Sequence, residues 1–463
     1  MILLWFALAA GGYLRFSNLG RLEMSPDEGA SWGAASATTV AEVVARQARL
    51  NPGKLPIHDL MLHGWIMLFG DSLPAMRSLS ALLGTVSILL VCLVTRELLE
   101  SADDDDRIFT PDEVAFVAAT AAALFAVSIV TIKYTREARM YAVMLAAALA
   151  QVAMFLRALR RGGVPNCVAV AILTAATVGS NFSAVLLPMT EALWLIYAFA
   201  QRGWRFTDAA ARRTLAVALA LGAGCVALAP KLFSSFGATT AGTAGGIIRW
   251  IKPPPLYAPF ALFNKAIGSF AFPVIAALAI WGVVRGWQIG ARDAVRFALL
   301  WMWAPPLIMM LASYTLTPIF VERYALTCFV PFFILAALGI SELPTDFARI
   351  GALALAVLLS AGHIVSYDRK PHDAQWQEAV AAADAESKPG ELIGVAPAYA
   401  VEVARYYLPP PHRDRAVRRE TGALSAAVLI VGQQSLHPAA AEAYRREFPQ
   451  VVAELRGVTV RRK

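Results

Sequence analysis

Apolar runs long enough to cross a bilayer return along almost the whole of this chain, and that recurrence leaves few folds open. A helix of about 20 apolar residues spans the hydrocarbon core of a membrane, and runs of roughly that length occur about eleven times here. They lie near 2–16, 78–99, 113–133, 140–159, 166–180, 183–201, 214–231, 269–286, 296–314, 325–341 and 349–366. In lipid each spanning segment must satisfy its own backbone N–H and C=O groups, so such a chain is a bundle of helices. Composition agrees: 58% of the 463 residues are hydrophobic and 16% are charged, unlike an ordinary soluble domain. The expected fold class is a polytopic α-helical membrane protein over 1–366, followed by a small extracytoplasmic α/β domain over 367–463.

Arginines orient the bundle. Arg157, Arg160 and Arg161 share one short loop, Arg202, Arg205, Arg212 and Arg213 a second, and Arg285, Arg292 and Arg296 a third. Alternating spans put these loops on one side, which the positive-inside rule makes cytoplasmic. The acidic run Asp103 to Asp106 falls there too, but acids weigh little in that rule. The N-terminus is then cytoplasmic and, with an odd number of spans, the C-terminus is outside. The first run lacks a basic n-region and reads as a retained span, not a cleaved signal. The Ala- and Arg-rich composition points to a bacterial inner membrane, with the C-terminal domain periplasmic. The net charge of +8 is mostly loop arginine, suited to anionic lipid and not to nucleic acid. Cys92, Cys167, Cys225 and Cys328 fall inside spans without metal-ligand spacing and read as small packing residues.

The external stretch 17–77 is more than a loop. Ser25-Pro26-Asp27-Glu28 is a fair helix start. Val40 to Leu50 reads as a short amphipathic helix. Asp59 to Phe69 is apolar but too short to span, as interfacial segments are. Beyond 367, 391–395 and 426–431 read as buried strands, and 373–386, 399–407 and 438–448 as helices. No G-x-G-x-x-G nucleotide fingerprint follows either strand.

Polar groups gather in the external segments. Asp27 and Glu28 come just after the first apolar run. The loop Lys133-Tyr134-Thr135-Arg136-Glu137-Ala138-Arg139-Met140-Tyr141 is dense in charge. Arg249 and Lys252 lie in the connector 232–268, and Glu322, Arg323 and Tyr324 in 317–324. A carboxylate at a membrane face can take a proton from a water-borne acceptor beside a lipid-borne donor. Guanidiniums can bind a lipid phosphate bidentately and stabilise it as a leaving group. Together they suit in-line displacement at an anomeric carbon, with inversion. Plainer readings stand beside these. Asp27 and Glu28 can cap a helix, Arg139 and Arg323 can anchor to headgroups, and Glu137 can pair with Arg136, Lys133 or Arg139. His58 and His63, five apart, miss the i, i+4 spacing of helical metal ligands. A divalent metal is compatible but unsupported, and no cofactor is required. Glu191, inside the sixth run, reads as a pairing group.

As a set, these motifs resemble one family. Asp27-Glu28, Leu62-His63-Gly64-Trp65 through Phe69-Gly70, Leu73 through Ser80, Glu137-Ala138-Arg139-Met140-Tyr141, and Pro318 through Arg323-Tyr324 are similar to the GT-C membrane glycosyltransferases. The likeness is to the protein O-mannosyltransferase and lipid A aminoarabinose transferase type, over roughly residues 1–370. It implies a polyprenyl-phosphate-linked sugar donor, a protein, lipid or glycan acceptor, and an extracytoplasmic active site. It implies Asp27 as base, supported by Glu28. Arg139 and Arg323 would meet the donor phosphate with Tyr141 and Tyr324 beside them and Glu137 as a supporting acid. Arg249, Lys252 and His63 are further loop contacts. The chain departs from the family at Leu55-Pro56-Ile57-His58-Asp59, where many relatives carry His-Pro-Pro-Leu-Tyr. It departs also at Asn181-Phe182, where many carry histidine, and at Arg136, where glutamine is usual. The rival reading is a transporter or flippase of a lipid-linked glycan. That would more naturally place charges or broken helices at mid-membrane and show internal repeats.

Overall fold

A computed structural model describes residues 2–51, 54–100, 108–201, 208–229, 251–369, 374–418, 426–433 and 438–463. The run Asp103 to Asp106, Arg202, Arg205, Arg249 and the small-residue tract 237–246 lie outside the described residues. Helix occupies every predicted run. In chain order the first helices are α1 (Ile2–Phe16), α2 (Pro26–Ala35), α3 (Val40–Leu50), α4 (Ile57–Phe69), α5 (Leu73–Leu99), α6 (Pro111–Ala126), α7 (Ile129–Thr135), α8 (Tyr141–Arg161), α9 (Val164–Ser180), α10 (Leu186–Gln201) and α11 (Ala209–Val226). Among the described residues, 7 helices are long and apolar enough to cross a membrane, or 8 if α6 and α7 are one span. Ile2–Phe16, Val164–Ser180 and Leu326–Ser341 coincide with the remaining predicted runs but are shorter. Ile57–Phe69, expected at the interface, is short and apolar as well.

The predicted run 113–133 is not one straight helix; α6 and α7 meet at a bend of 64°. Two side chains take carbonyls at the bend. Thr131 Oγ1 donates to the Phe125 carbonyl at 3.0 Å, and Arg15 Nη1 donates to the Ala126 carbonyl at 2.9 Å. Breaking a helix inside an apolar bundle frees carbonyls that no water can reach, which is costly unless side chains take them. Here a hydroxyl and a guanidinium do so.

The chain divides into two compact units. The first comprises Met1–Ser17, Gly53–Ile57 and Ser80–Asp368. Its helices pack through small residues, as membrane helices do. Gly282 and Gly339 sit where two helices, Ala271–Gln288 and Phe329–Ser341, come closest. A Cβ on Gly282 would lie 1.9 Å from the Leu335 carbonyl, and one on Gly339 1.9 Å from the Leu278 carbonyl. At one end of this unit Arg160 bonds Glu97 and, at 2.9 Å, Glu100, while Arg157 meets Glu97 at 2.6 Å. These pairs join the last turns of α5 and α8.

The second unit comprises Asn18–Pro52, His58–Leu79 and Arg369–Lys463. The part after 369 does not cluster alone: most of the external stretch 17–77 belongs with it. Its sheet runs β2-β1-β3-β5-β4, with β1 (Ile393–Ala396), β2 (Ala416–Arg418), β3 (Val428–Gly432), β4 (Gln450–Leu455) and β5 (Val458–Arg462). β1 pairs in parallel with β2 and β3, while β5 runs antiparallel between β3 and β4. β1 and β3 are wholly buried and are the two strands the apolar runs announce. Ala396, Leu429 and Val431 from them pack with Tyr444 and Phe448.

Candidate active site

The acid pair opens α2. Ser25 is its N-cap in extended conformation and Pro26 fills the first helical position. Ser25 Oγ accepts from the Glu28 N–H at 3.2 Å, and Glu28 Oε2 accepts in return from the Ser25 N–H at 3.0 Å. This is a reciprocal capping box, which satisfies two orphan donors of the first turn. Glu28 is 1% exposed, and a carboxylate there must be compensated. Arg77 does this from α5: Nε donates to Oε1 at 2.7 Å and Nη2 to Oε2 at 2.8 Å. Its other N–H groups go to the carbonyls of Leu19, Leu22 and Glu23. Both oxygens of Glu28 are thereby engaged. Asp27, one residue earlier, is exposed. It sits in the first turn, where the helix dipole favours a negative charge.

The rest of the second unit immobilises α2. Its C-terminal carbonyls are taken by Arg46, which donates to Gly33 O at 3.1 Å, and by His63, whose Nδ1 lies 2.8 Å from Ala35 O. That contact makes Nδ1 the protonated nitrogen. The helix Val401–Tyr407 packs so closely that a Cβ on Gly29 would meet Val403 N at 3.0 Å and its Cγ2 at 2.8 Å. Trp32, 4% exposed, donates through Nε1 to Asp71 at 3.3 Å. Its ring meets Tyr406 edge-on at 5.3 Å and lies 5.1 Å from the Arg413 guanidinium. Burial, and then the charge of Asp71, holds the Tyr406 hydroxyl above its ordinary range. These contacts hold the backbone of α2, and with it the backbone of the turn that carries Asp27.

A second set of the expected residues comes together in the first unit. Tyr134, from α7, lies within electrostatic range of Glu137 in the turn after it and of Glu322 and Arg323, from a segment far away in sequence. The Tyr134 hydroxyl feels the charges of Glu322, Glu137 and Arg323. Tyr134 and Tyr141 meet edge to face at 5.3 Å, and Lys133 Nζ is 4.8 Å from the Tyr134 ring. The Arg323 guanidinium is 5.9 Å from the Tyr324 ring, and Lys265 reaches Glu322 at 3.3 Å. Arg139 is 5% exposed, and its N–H donates to Glu137 O at 2.7 Å in a tight turn. Asn181 and Phe182, a departure from the family pattern, have definite work: Asn181 Oδ1 caps the next turn through the Ser183 N–H at 3.2 Å, and Phe182 meets Tyr324 at 5.3 Å. Cations, acids and phenols of this kind suit a phosphate with a sugar attached.

Lys252 is exposed, Arg249 lies outside the described residues, and His63 serves the end of α2. Arg136 pairs with Asp368 at 2.6 Å instead of Glu137. Glu191 accepts from Gln151 Nε2 at 2.6 Å, the pairing role expected of it. Two residues the sequence reading left without a role prove central, Arg77 and Arg15. The signal for both was a lone charge at the edge of an apolar run, which lipid does not tolerate without a partner.

No protein-family profile matches this sequence, and no curated protein does. Solved structures are similar in fold. ArnT from Cupriavidus metallidurans in the apo state superposes with a TM-score of 0.65 at 13% identity, over 98% of this chain and 97% of that one. The same protein bound to undecaprenyl phosphate gives 0.63 at 12% identity over the same shares. The oligosaccharyltransferase AglB from Archaeoglobus fulgidus, solved with an inhibitory peptide and a dolichol-phosphate, gives 0.57 at 12% identity, over 93% of this chain and 69% of that one. The fold is therefore the GT-C fold that the motifs announce, with membrane helices and a small C-terminal sheet domain.

Proposed function

We propose that the chain is an inverting glycosyltransferase that moves a sugar from a polyprenyl-phosphate carrier to an envelope acceptor at the extracytoplasmic face of a bacterial inner membrane. The observation that carries this reading is the split within the acid pair. Glu28 gives both oxygens to Arg77 and Ser25, while Asp27 stays exposed on the same rigid turn. One acid holds the helix and its neighbour faces solvent. Likeness of fold alone does not assign an activity, but two of the similar structures hold lipid phosphates, which suits such a donor.

In this reading the Asp27 carboxylate takes the proton of the acceptor hydroxyl. The acceptor oxygen attacks C1 of the sugar, and the C1–O bond to phosphate breaks with its electron pair leaving on the lipid phosphate. Arg139 and Arg323 balance that charge, which is the usual large contribution to such a step. Glu28 acts through position, not proton transfer. The N-terminus is cytoplasmic and the second unit periplasmic.

The test is release of free polyprenyl phosphate from a panel of polyprenyl-phosphate sugars, with a cell-envelope extract as acceptor. It compares wild type with Asp27→Asn at matched folded amounts. Release with one sugar, lost in Asp27→Asn, is the expected result and names the donor. Equal release by a folded Asp27→Asn protein would remove Asp27 as base. Intact donor crossing the bilayer would put the transporter reading first.

A further inference from the structure

The expected donor-phosphate residues hang on a short helix. α7 has 7 residues, too few to stand without help, and it leads directly into the turn that carries Glu137 and Arg139. Two arginines hold its ends. Arg15, from α1, is 0% exposed and donates to Gly11 O at 3.0 Å, Ala126 O at 2.9 Å and Thr131 Oγ1 at 3.1 Å, so it grips the start of α7. Arg136, the residue just past α7, reaches back to the end of α1. Its Nε donates to Leu14 O at 2.8 Å and its Nη2 to Ser17 Oγ at 3.1 Å, while Nη1 meets Asp368 at 2.6 Å.

Arg15 of α1 thus ties the last carbonyl of α6 to the Thr131 side chain of α7, and Arg136 returns to a carbonyl of α1. Leu14 O is among the last carbonyls of α1, which have no partner within their own helix, and a cation is favoured at that end. Asp368 closes the helix Asp346–Asp368, where the dipole disfavours an anion, so it too is stabilised by Arg136. Three acceptors in three directions need a planar fork; a lysine ammonium cannot span them. None of these bonds involves Glu137 or Arg139, yet those of Arg136 hold the backbone one residue before Glu137.

We infer that Arg15 and Arg136 form a reciprocal clamp that sets the Glu137–Tyr141 turn, and that Arg136 is a positioning residue for Arg139 in holding the donor phosphate. The inference rests on the donor reading above.

A double-mutant cycle tests it, with kcat and KM measured separately for donor and acceptor. Arg136→Gln is expected to lower kcat/KM for the donor on the order of 10- to 100-fold, chiefly through its KM. The acceptor KM should hold, and the loss should vanish in an Arg139→Ala background. An equal loss in both backgrounds, or none in the first, overturns the positioning role. Asp368→Asn, which removes the one charge among the three acceptors of Arg136, is expected to show a smaller loss of the same kind if Arg136→Gln does not fold. Should wild type release no polyprenyl phosphate from any donor, the donor reading falls and takes the role of Arg139 with it. The clamp is then decided without turnover. Met140, 8% exposed in the turn, is replaced by cysteine and probed with a charged maleimide in membranes. Protection that is lost on adding Arg136→Gln supports the clamp; unchanged protection overturns it.

Discussion

Arg77 holds Glu28 by both carboxylate oxygens, at 2.7 and 2.8 Å, and directs its remaining N–H groups to Leu19, Leu22 and Glu23. One guanidinium therefore fixes the first turn of α2 and the segment that leads into it. Removing it leaves a buried carboxylate without its counter-charge and three carbonyls without a donor. Arg77→Ala is expected to destabilise the protein by about 3–5 kcal/mol. Arg77→Lys should lose most of the same amount, because an ammonium cannot reproduce the fork. Glu28→Gln should cost less than either, since the amide oxygen can still accept from Arg77 and the guanidinium keeps the carbonyls of Leu19, Leu22 and Glu23. Thermal unfolding of the purified proteins in one detergent checks the order. A Glu28→Gln protein less stable than Arg77→Ala would refute it.

Two glycines on α2 face the helix Val401–Tyr407, and they should answer differently to the same substitution. A Cβ on Gly29 meets the backbone N of Val403 at 3.0 Å and its branched Cγ2 at 2.8 Å. A Cβ on Gly33 meets Glu402 Oε2 at 2.7 Å, the tip of a buried side chain that pairs with Arg405 at 3.0 Å. Backbone cannot yield as a carboxylate tip can. Gly29→Ala is expected to cost about 1–3 kcal/mol by overpacking, and Gly33→Ala clearly less. Equal melting temperatures for the two variants would refute this account of the α2 contact.

Much of this arrangement was legible before the coordinates, and the remainder was hidden for physical reasons. Span-length runs announce themselves because lipid demands a continuous apolar surface. α3 and α4 were readable for the same reason at the interface. β1 and β3 were readable as short, wholly buried runs. β4 was not: its residues are all exposed or half-buried, and β5 ends in Arg461 and Arg462, so neither carries a continuous apolar signal. β2 is 3 residues long. The bend after Ala126 follows no proline or glycine; it depends on Arg15, 111 residues away in sequence, and no local window contains that. The acid pair could be found from its position, but the burial of Glu28 could not, because the Arg77 that compensates it lies 49 residues on.

Tyr407 gives the second unit a dependence on alkaline pH. Its hydroxyl oxygen accepts from the Met24 N–H at 2.9 Å. Burial first, with the nearby charge of Glu23 adding to it, pushes its pKa up to about 12, against about 10 in an unfolded chain. The folded state therefore keeps this proton to a higher pH than the unfolded state does. The stabilisation is complete below about pH 10 and is lost as pH rises towards about 12. Tyr407→Phe lacks both the acceptor and the titration. It is expected to be less stable than wild type near neutrality, with the gap narrowing between about pH 10 and 12. Melting curves across that window decide it, and a gap that stays constant would mean Tyr407 ionises alike in both states.

The closest crossing in the first unit offers a sharper test of packing than any large side chain. Gly282 and Gly339 each stand where a Cβ would lie 1.9 Å from a carbonyl of the facing helix, Leu335 O and Leu278 O respectively. No rotamer change relieves a clash between Cβ and backbone, so the helices must separate. Separation lengthens every contact along the crossing, and packing of this kind is the main source of attraction between helices in lipid. Gly339→Ala is expected to cost about 1–3 kcal/mol. Gly339→Leu should cost more than that and lower the folded yield, while Gly351→Ala, with open space around its Cβ, should be neutral or mildly stabilising through helix propensity. If Gly339→Ala melts with wild type, the two helices do not meet as closely as these glycines require. If Gly351→Ala falls with it, the loss belongs to any change in a membrane helix and not to this crossing.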